Sequence, residues 1–197
     1  EIGLSRDFKV SISFNNFLNF NFVNIKDLVF NKTDFKIYQK DIIFFYDLLN
    51  TEANENKIII KNSNVFFNSK EDELLFINRI YHSKFYYDPN KLMNILYAKN
   101  KIFNVPFDIE IKNDKFNKKI FSKFNSKKFR LSVTNLFEYD DKNKSGFIDI
   151  LLINKSTSLN YEINKNSLRF VSDIRNNSYD GTIDFKPFYL NANFNYD

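Results

Sequence analysis

The chain has 197 residues, a net charge of +5 and no cysteine, and 43% of its residues are hydrophobic. This length is enough to bury one substantial core, and the richness in Phe and Tyr argues against intrinsic disorder. The lack of cysteine excludes disulfides, thiolate metal sites and a cysteine nucleophile. Lysines are spread along the chain among 24 acidic residues, so we interpret the positive charge as a solvated face and expect no nucleic-acid partner.

Alternation of apolar and polar residues with a period of two is the dominant pattern, and it predicts strands with one apolar face. It first occurs in FKVSISF, at residues 8–14. The segment KDIIFFYDLLN is ambiguous, because Asp41 could cap a helix whereas IIFFY could be a buried strand; we favour a short helix near 41–50. A second helix is predicted near 89–99, with Asp88 as N-cap and Pro89 in the first turn.

From Val105 onward, alternating runs are separated by polar clusters rich in turn residues, which predicts an antiparallel meander. The runs are VPFDIEI, FRLSVTNLFEY, LNYEI, LRFVSDI and FYLNANFNY. Asn135 interrupts the second of them. The lysine-rich segment DKFNKKIFSKFNSKKF fits either a basic amphipathic helix on anionic lipid or two strands with a turn near Asn125. Strand patterns on both sides favour the two strands.

Two short helices are too few to cover the apolar face of so many strands, so that face must be buried in another way. It can pack on a second sheet, close into a barrel, or curl into a groove that a ligand fills. The pattern by itself favours the sandwich or the barrel. We expect one continuous β-rich segment, residues 1–197, belonging to a longer chain.

The stretch DKNKSGFIDILL, residues 141–152, resembles a calcium-binding loop, with Asp141, Asn143 and Asp149 as oxygen ligands. Its twelfth position, which should be Glu, is Leu152, and its flanks have strand patterns. We therefore predict a hairpin loop with Gly146 at positive φ, and a weak calcium site is the alternative. The single histidine, His82, has no neighbouring partners for metal binding or catalysis. No catalytic motif is present, so we predict neither enzymatic activity nor a cofactor.

The order of the segments carries a family resemblance. NIKDLVF is followed by DFKIYQKDIIFFYDLLN and KIIIKNSNVFFNSKEDELLFINRI, and the C-terminal runs are RLSVTNLFEY, GFIDILLINKSTSLNYEI and DGTIDFKPFYLNANFNYD. In this order the chain resembles an internal fragment of the AsmA-like family of bacterial cell-envelope proteins, of the AsmA, TamB and YhdP type. The resemblance implies an elongated periplasmic β-groove, anchored to the inner membrane by parts of the parent chain outside this segment. It also implies phospholipid transport in outer-membrane biogenesis, with phospholipid acyl chains as partners; protein partners are not implied.

Pattern and resemblance together predict a mainly β fold: an antiparallel meander curled into an elongated apolar groove, with one or two short helices. A β-sandwich is the alternative, and its function would be that of a surface or adhesion module that binds protein or glycan. The predicted groove-lining residues are Val105, Phe107, Ile109, Ile111, Leu131, Val133, Phe137, Ile148, Ile150, Leu152, Tyr161, Ile163 and Phe170.

Overall fold

A computed structural model describes residues 3–12, 25–38, 41, 47, 49–50, 56–140, 144–172 and 177–196. The chain divides into two compact units, Glu1–Asn113 (unit 1) and Asp114–Asp197 (unit 2). The mainly β class is confirmed, and the strands are ordered as in an open sheet rather than a closed barrel. The described residues form β1 (Gly3–Ile12), β2 (Ile25–Tyr38), β3 (Lys57–Asn68), β4 (Leu74–Asp88), β5 (Met93–Ile102), β6 (Val105–Asp114), β7 (Lys119–Ser126), β8 (Leu131–Tyr139), β9 (Lys144–Leu152), β10 (Lys155–Ile163), β11 (Ser167–Ser172), β12 (Asn177–Phe185) and β13 (Phe188–Tyr196).

Unit 1 contains β1 to β6 in sequence order, and its sheet is mixed. β1 pairs with β2, β3 with β4 and β4 with β5 in the antiparallel sense, whereas β2 and β3 are parallel. The parallel pair departs from the predicted meander, because parallel neighbours require a long crossover connection. Residues 39–56 make that connection. The helix predicted near 41–50 falls largely outside the described residues; Asp47, Leu49 and Asn50, which are described, are helical.

The helix predicted near 89–99 is wrong, because most of this segment belongs to strand β5. The N-cap signal of Asp88 followed by Pro89 is also a turn signal, and here it makes a turn. Asp88 Oδ1 accepts the Asn90 amide at 3.1 Å, and the Asp88 carbonyl accepts the Lys91 amide at 3.2 Å. Leu92 then has a φ of 54°, which redirects the chain into the strand.

Three aligned irregularities cross unit 1 on adjacent strands. Lys32 in β2 and Asn62 in β3 have φ values of 53° and 48°, and the pairing of β4 with β5 shifts between Ile80 and His82. Lys32 and Asn62 lie opposite each other without a register shift between β2 and β3, and the extra residue at Tyr81 forms a bulge against β5. At each of the three positions, the residues that face the cavity change from one parity to the other. Bulges and positive-φ residues of this kind bend a strand, and a row of them across three neighbouring strands bends the sheet along one line.

Two buried hydroxyl residues supply hydrogen bonds at this bend. Ser63 and Thr33 are 0% and 2% exposed. The Thr33 amide donates to Ser63 Oγ at 3.0 Å, and Ser63 Oγ donates to the Lys61 carbonyl at 2.8 Å. A bulge leaves backbone groups without ladder partners, and a buried group in that state destabilises the fold. The Ser63 hydroxyl therefore allows the bend to be buried.

Unit 2 is an antiparallel meander of β7 to β13, in agreement with the alternating pattern. The lysine-rich segment forms strand β7 between the turns 115–118 and 127–130, so the strand interpretation is confirmed and the turn lies just after Asn125. Within each unit the described strands belong to one sheet, whereas the sandwich alternative requires two facing sheets.

Two glycines and three aromatic rings share one row of residues across unit 2. The register aligns Phe137, Gly146, Tyr161, Phe170 and Gly181 on successive strands. Phe137 and Tyr161 stack in parallel planes across Gly146, with ring centroids 6.3 Å apart. The positive φ predicted for Gly146 is wrong: its φ is not positive, and it lies inside β9. A Cβ at this position would overlap the Tyr161 ring, so lack of a side chain is what the site requires.

We expect Gly146→Ala to destabilise the protein by about 2 kcal/mol, because the Tyr161 ring must move to admit the methyl group. Urea unfolding of the full chain measures the change. In a Tyr161→Ala background the same substitution should cost almost nothing, since the overlapping ring is gone and Ala suits a strand better than Gly. Equal costs in the two backgrounds would contradict the proposed contact.

Candidate functional site

The curled sheet of unit 1 surrounds an apolar cavity of about 390 Å³. In a flat sheet β2 and β6 would lie about 19 Å apart, because neighbouring strands are separated by about 4.8 Å. Side chains from both strands line this one cavity, so the sheet bends around it. We call the face that lines it the inner face. The described residues that line it are Phe30, Phe35, Ile37, Leu49, Ile58, Ile60, Val65, Ile80, Ser83, Phe85, Leu96, Ala98, Asn100, Ile109 and Ile111.

The irregularities in β2, β3 and β4 determine which side chains of these strands line the cavity. In β3, Ile58 and Ile60 line it before Asn62, and Val65 lines it afterwards. The lining residues of β3 therefore change from even to odd numbers, because Asn62, with its positive φ, interrupts the alternation. The same change separates Phe30 from Phe35 in β2. The irregularities at Lys32 and Asn62 therefore both bend the sheet and determine which side chains of β2 and β3 face the cavity.

Leu49 is fixed at one end of the cavity by two asparagines. Asn94 Nδ2 and Asn113 Nδ2 each donate to the Leu49 carbonyl at 2.9 Å, and Asn113 Nδ2 also donates to Asn50 Oδ1 at 2.8 Å. Asn94 and Asn113 are 2% and 1% exposed. They lie near the start of β5 and the end of β6, opposite the turn that joins these strands. The helical residues Leu49 and Asn50 are thus tied to the inner face at that end.

The cavity becomes polar toward the other end of β5. Asn100, which is 5% exposed, lies six residues beyond Asn94, or about 20 Å along the strand. Within the described ranges, no donor reaches the buried Oδ1 atom of Asn100. The same holds for Oδ1 of Asn78, which pairs with Ile102 and is therefore a diagonal neighbour of Asn100. Amide groups therefore lie at both ends, Asn94 and Asn113 beside Leu49 and Asn100 with Asn78 at the other end. Of these four residues, only Asn100 is among the described residues that line the cavity.

The four predicted groove residues in unit 1 share the inner face of β6. Ile109 and Ile111 line the cavity. Phe107, on the same side of the strand, is buried, and Val105 is half-buried. Sequence reasoning missed the lining residues of β2 to β5. The apolar run Ile58–Ile60 indicated a buried strand. The alternation could not be followed along the whole strand, because it is interrupted at Asn62.

The predicted groove residues in unit 2 also share one face, because the register places them opposite one another or two residues apart. Tyr161 is 7% exposed, whereas Leu152 is 46% exposed. The others are half-buried: Leu131, Val133, Phe137, Ile148, Ile150, Ile163 and Phe170. The structure therefore brings these residues onto one sheet face.

Asn135, which interrupted the apolar pattern, has a structural role on this face. Tyr161 Oη donates to Asn135 Oδ1 at 2.8 Å, and Asn135 Nδ2 donates to Ser122 Oγ at 3.3 Å. Burial raises the pKa of the Tyr161 hydroxyl. The amide satisfies the hydroxyl of a buried ring, so part of this face is filled by its own side chains.

The opposite face of unit 2 is less polar than the alternation implied. It holds a cleft of about 550 Å³ that combines Leu136, Phe147 and Val171 with charged residues. These three side chains are 36% to 40% exposed. Glu138, Glu162 and Arg169 also border the cleft. Neither face of unit 2 is purely apolar or purely polar.

The calcium alternative gains no support from the residues that are described. Asp141 and Asn143 lie outside them, while Asp149 is exposed in β9 and accepts a hydrogen bond from Ser158. Where side chains are described, no three His, Cys, Asp or Glu residues converge as a metal site requires. The β8–β9 connection is also short, since Tyr139 already pairs with Lys144.

His82 lies on the face of unit 1 opposite the cavity, directly between Lys61 and Lys99 in the register. Burial, followed by the charges of Lys61, Lys99 and Lys84, lowers the pKa of its imidazole. These neighbours disfavour the protonated ring and supply no carboxylate to orient it. A catalytic dyad or triad needs such an orienting group. The structure gives the histidine no catalytic arrangement.

In the part of the chain that the structure describes, no helix has the length and apolar character needed to cross a membrane. A scan of protein-family models gives no match to this chain, and searches of curated proteins and of solved structures give none either. Function must therefore be argued from the cavity and its residues.

Asn113→Asp tests the attachment of Leu49. At pH 7 we expect a loss of about 3 kcal/mol in unfolding free energy, because a buried carboxylate would face the Leu49 carbonyl instead of donating to it. Burial raises the folded pKa of such a carboxyl above its unfolded value, so the loss should shrink as pH falls toward 5. The loss is measured by urea unfolding of the variant and of the unsubstituted chain at each pH. The exposed Asn160→Asp serves as control, and an equal effect there would contradict the assignment.

The single histidine gives one unambiguous imidazole signal in NMR titration. We expect a His82 pKa below 6.5 that rises in 0.5 M NaCl and in Lys99→Gln, because both weaken the lysine repulsion. Lys144→Gln, in unit 2, should leave it unchanged. Since the folded state binds fewer protons than the unfolded state, the stabilising contribution of neutral His82 is lost as pH falls from about 6.5 through the folded pKa. A pKa at or above 6.5 would contradict the expected surroundings.

Proposed function

We propose that this chain is a lipid-binding groove segment of a periplasmic protein that is anchored to the inner membrane and takes part in phospholipid transport and outer-membrane biogenesis. The observation that carries the proposal is the apolar cavity of unit 1, which lies against a curled sheet. Among the described residues, 13 apolar ones and two polar ones, Ser83 and Asn100, line it. The resemblance to AsmA-like proteins supports the location in the cell envelope and the anchor.

The physical properties of the cavity suit an acyl chain. Burying one methylene group is worth about 0.8 kcal/mol, so about a dozen carbons would gain roughly 10 kcal/mol before the costs of association. An acyl chain needs no hydrogen-bond partners along its length, and the middle of the cavity offers none beyond Ser83. Its walls include Ile80, Phe85 and Ala98, each less than 10% exposed.

The adhesion-module alternative rests on two sheets packed over a closed core. Within unit 1 and within unit 2 the described strands belong to one sheet, and the extensive contacts in each unit join strands that are neighbours in that sheet. We therefore prefer a function in which a ligand covers the inner face.

Filling the cavity tests the proposal. Ala98 lines it, whereas the next residue, Lys99, lies on the opposite face of the same strand and is exposed. The full chain, with a signal for export to the periplasm of a bacterial host, should carry phospholipid that is detected by solvent extraction and mass spectrometry. We expect Ala98→Phe to reduce the lipid-to-protein ratio at least fivefold, because its ring occupies the space of the acyl chain.

Lys99→Phe is the matched control and should carry lipid at the level of the unsubstituted chain. Thermal unfolding of both variants establishes that each is folded. An unsubstituted chain without lipid, or an Ala98→Phe variant that is folded and carries as much lipid as Lys99→Phe, would refute the proposal.

A further inference from the structure

The cavity of unit 1 contains a polar group that the protein itself leaves unsatisfied. Asn100 lines the cavity and is 5% exposed, and its buried Oδ1 accepts no hydrogen bond within the described ranges. The neighbouring Asn78 also has a buried Oδ1 without a donor there. Buried amide oxygens are almost always paired, because desolvation without a partner is unfavourable. At the other end, Asn113 Oδ1 is also buried without a donor in the described ranges. Asn94 and Asn113, however, use their Nδ2 groups to hold Leu49 and are not among the described lining residues.

We infer that Asn100 binds the polar group of a single-chain amphiphile, and that the ligand carries a hydroxyl group at that point. This inference rests on the proposed function. An ionised carboxylate would be costly to bury beside an amide with no cation in contact. A hydroxyl can both donate and accept, so it suits either orientation of the Asn100 amide.

The cavity volume argues for one chain rather than two. A water molecule takes up about 30 Å³ of liquid, and a methylene group is similar in size, so 390 Å³ accommodates about a dozen carbons. The position of Asn100, the one amide among the described lining residues, also sets the direction of the ligand. The tail extends toward Leu49, between Phe85 and Ile111, and the hydroxyl lies at Asn100.

Two probes of equal tail length separate the polar contact from apolar burial. 1-Dodecanol carries a hydroxyl, whereas dodecyl methyl ether has no donor. Binding of each to the delipidated full chain is measured by displacement of an environment-sensitive fluorophore. We expect the unsubstituted chain to bind dodecanol more tightly than the ether. Asn100→Leu should weaken dodecanol binding about fivefold and leave ether binding equal or tighter, in line with the loss of one hydrogen bond.

Asn100→Leu should also raise the melting temperature of the ligand-free protein, because it replaces an unsatisfied buried amide by an apolar side chain of similar size. That result shows that weaker binding does not reflect poor folding. Asn160→Leu, at an exposed position in unit 2, controls for the substitution and should change neither affinity.

Other outcomes distinguish the two proposals. If neither probe binds the unsubstituted chain, the lipid-binding function fails and this inference fails with it. If both probes bind and Asn100→Leu weakens them equally or not at all, the cavity takes lipid but Asn100 does not recognise a hydroxyl. The inference is then overturned while the lipid-binding function stands.

Discussion

The aligned irregularities at Lys32, Asn62 and Tyr81 are the constraint on which the cavity of unit 1 depends. Because they lie side by side on β2, β3 and β4, they bend the three strands along one line. A bend of this kind needs an internal hydrogen bond to be buried, and the Ser63 hydroxyl supplies it to the Thr33 amide. Without the bend, β2 and β6 would be too far apart to line one cavity. The apolar cavity is therefore a consequence of backbone irregularity rather than of an unusual set of side chains.

The strands with regular alternation could be predicted from the sequence, and those with bulges could not. In β8 to β11 no register shift interrupts the pairing, so the predicted residues lie on one face despite Asn135. In each of β2 to β4, one residue interrupts the alternation halfway along the strand. Counted by twos along the sequence, Ile60 and Val65 would face opposite sides of the sheet, although both line the cavity. No local signal in the sequence marks Lys32 as a residue with positive φ, because Lys has no special preference for that region.

Asp88 and Gly146 show where local signals are ambiguous. Asp followed by Pro begins helices and turns alike, and only the pairing of Ile95 with Tyr86 across β4 and β5 decides between them. A glycine in a polar cluster suggests a turn, but Gly146 is needed for the approach of a ring from β10. Both outcomes depend on partners distant in the chain. The same is true of Asn100, whose unsatisfied oxygen is visible only once its neighbours are known.

The apolar faces of the two units differ in how they are filled, and this difference is the reason for placing the proposed ligand in unit 1. In unit 2 a tyrosine hydroxyl reaches Asn135, and rings from neighbouring strands lie over glycines, so side chains of the unit satisfy and fill that face. In unit 1 the corresponding space is a cavity, and its buried asparagine at position 100 has an oxygen without a donor in the described ranges. Replacing such a group with an apolar side chain should stabilise a protein whose only requirement is to fold. Its presence in an otherwise apolar cavity is explained if the missing partner belongs to the ligand.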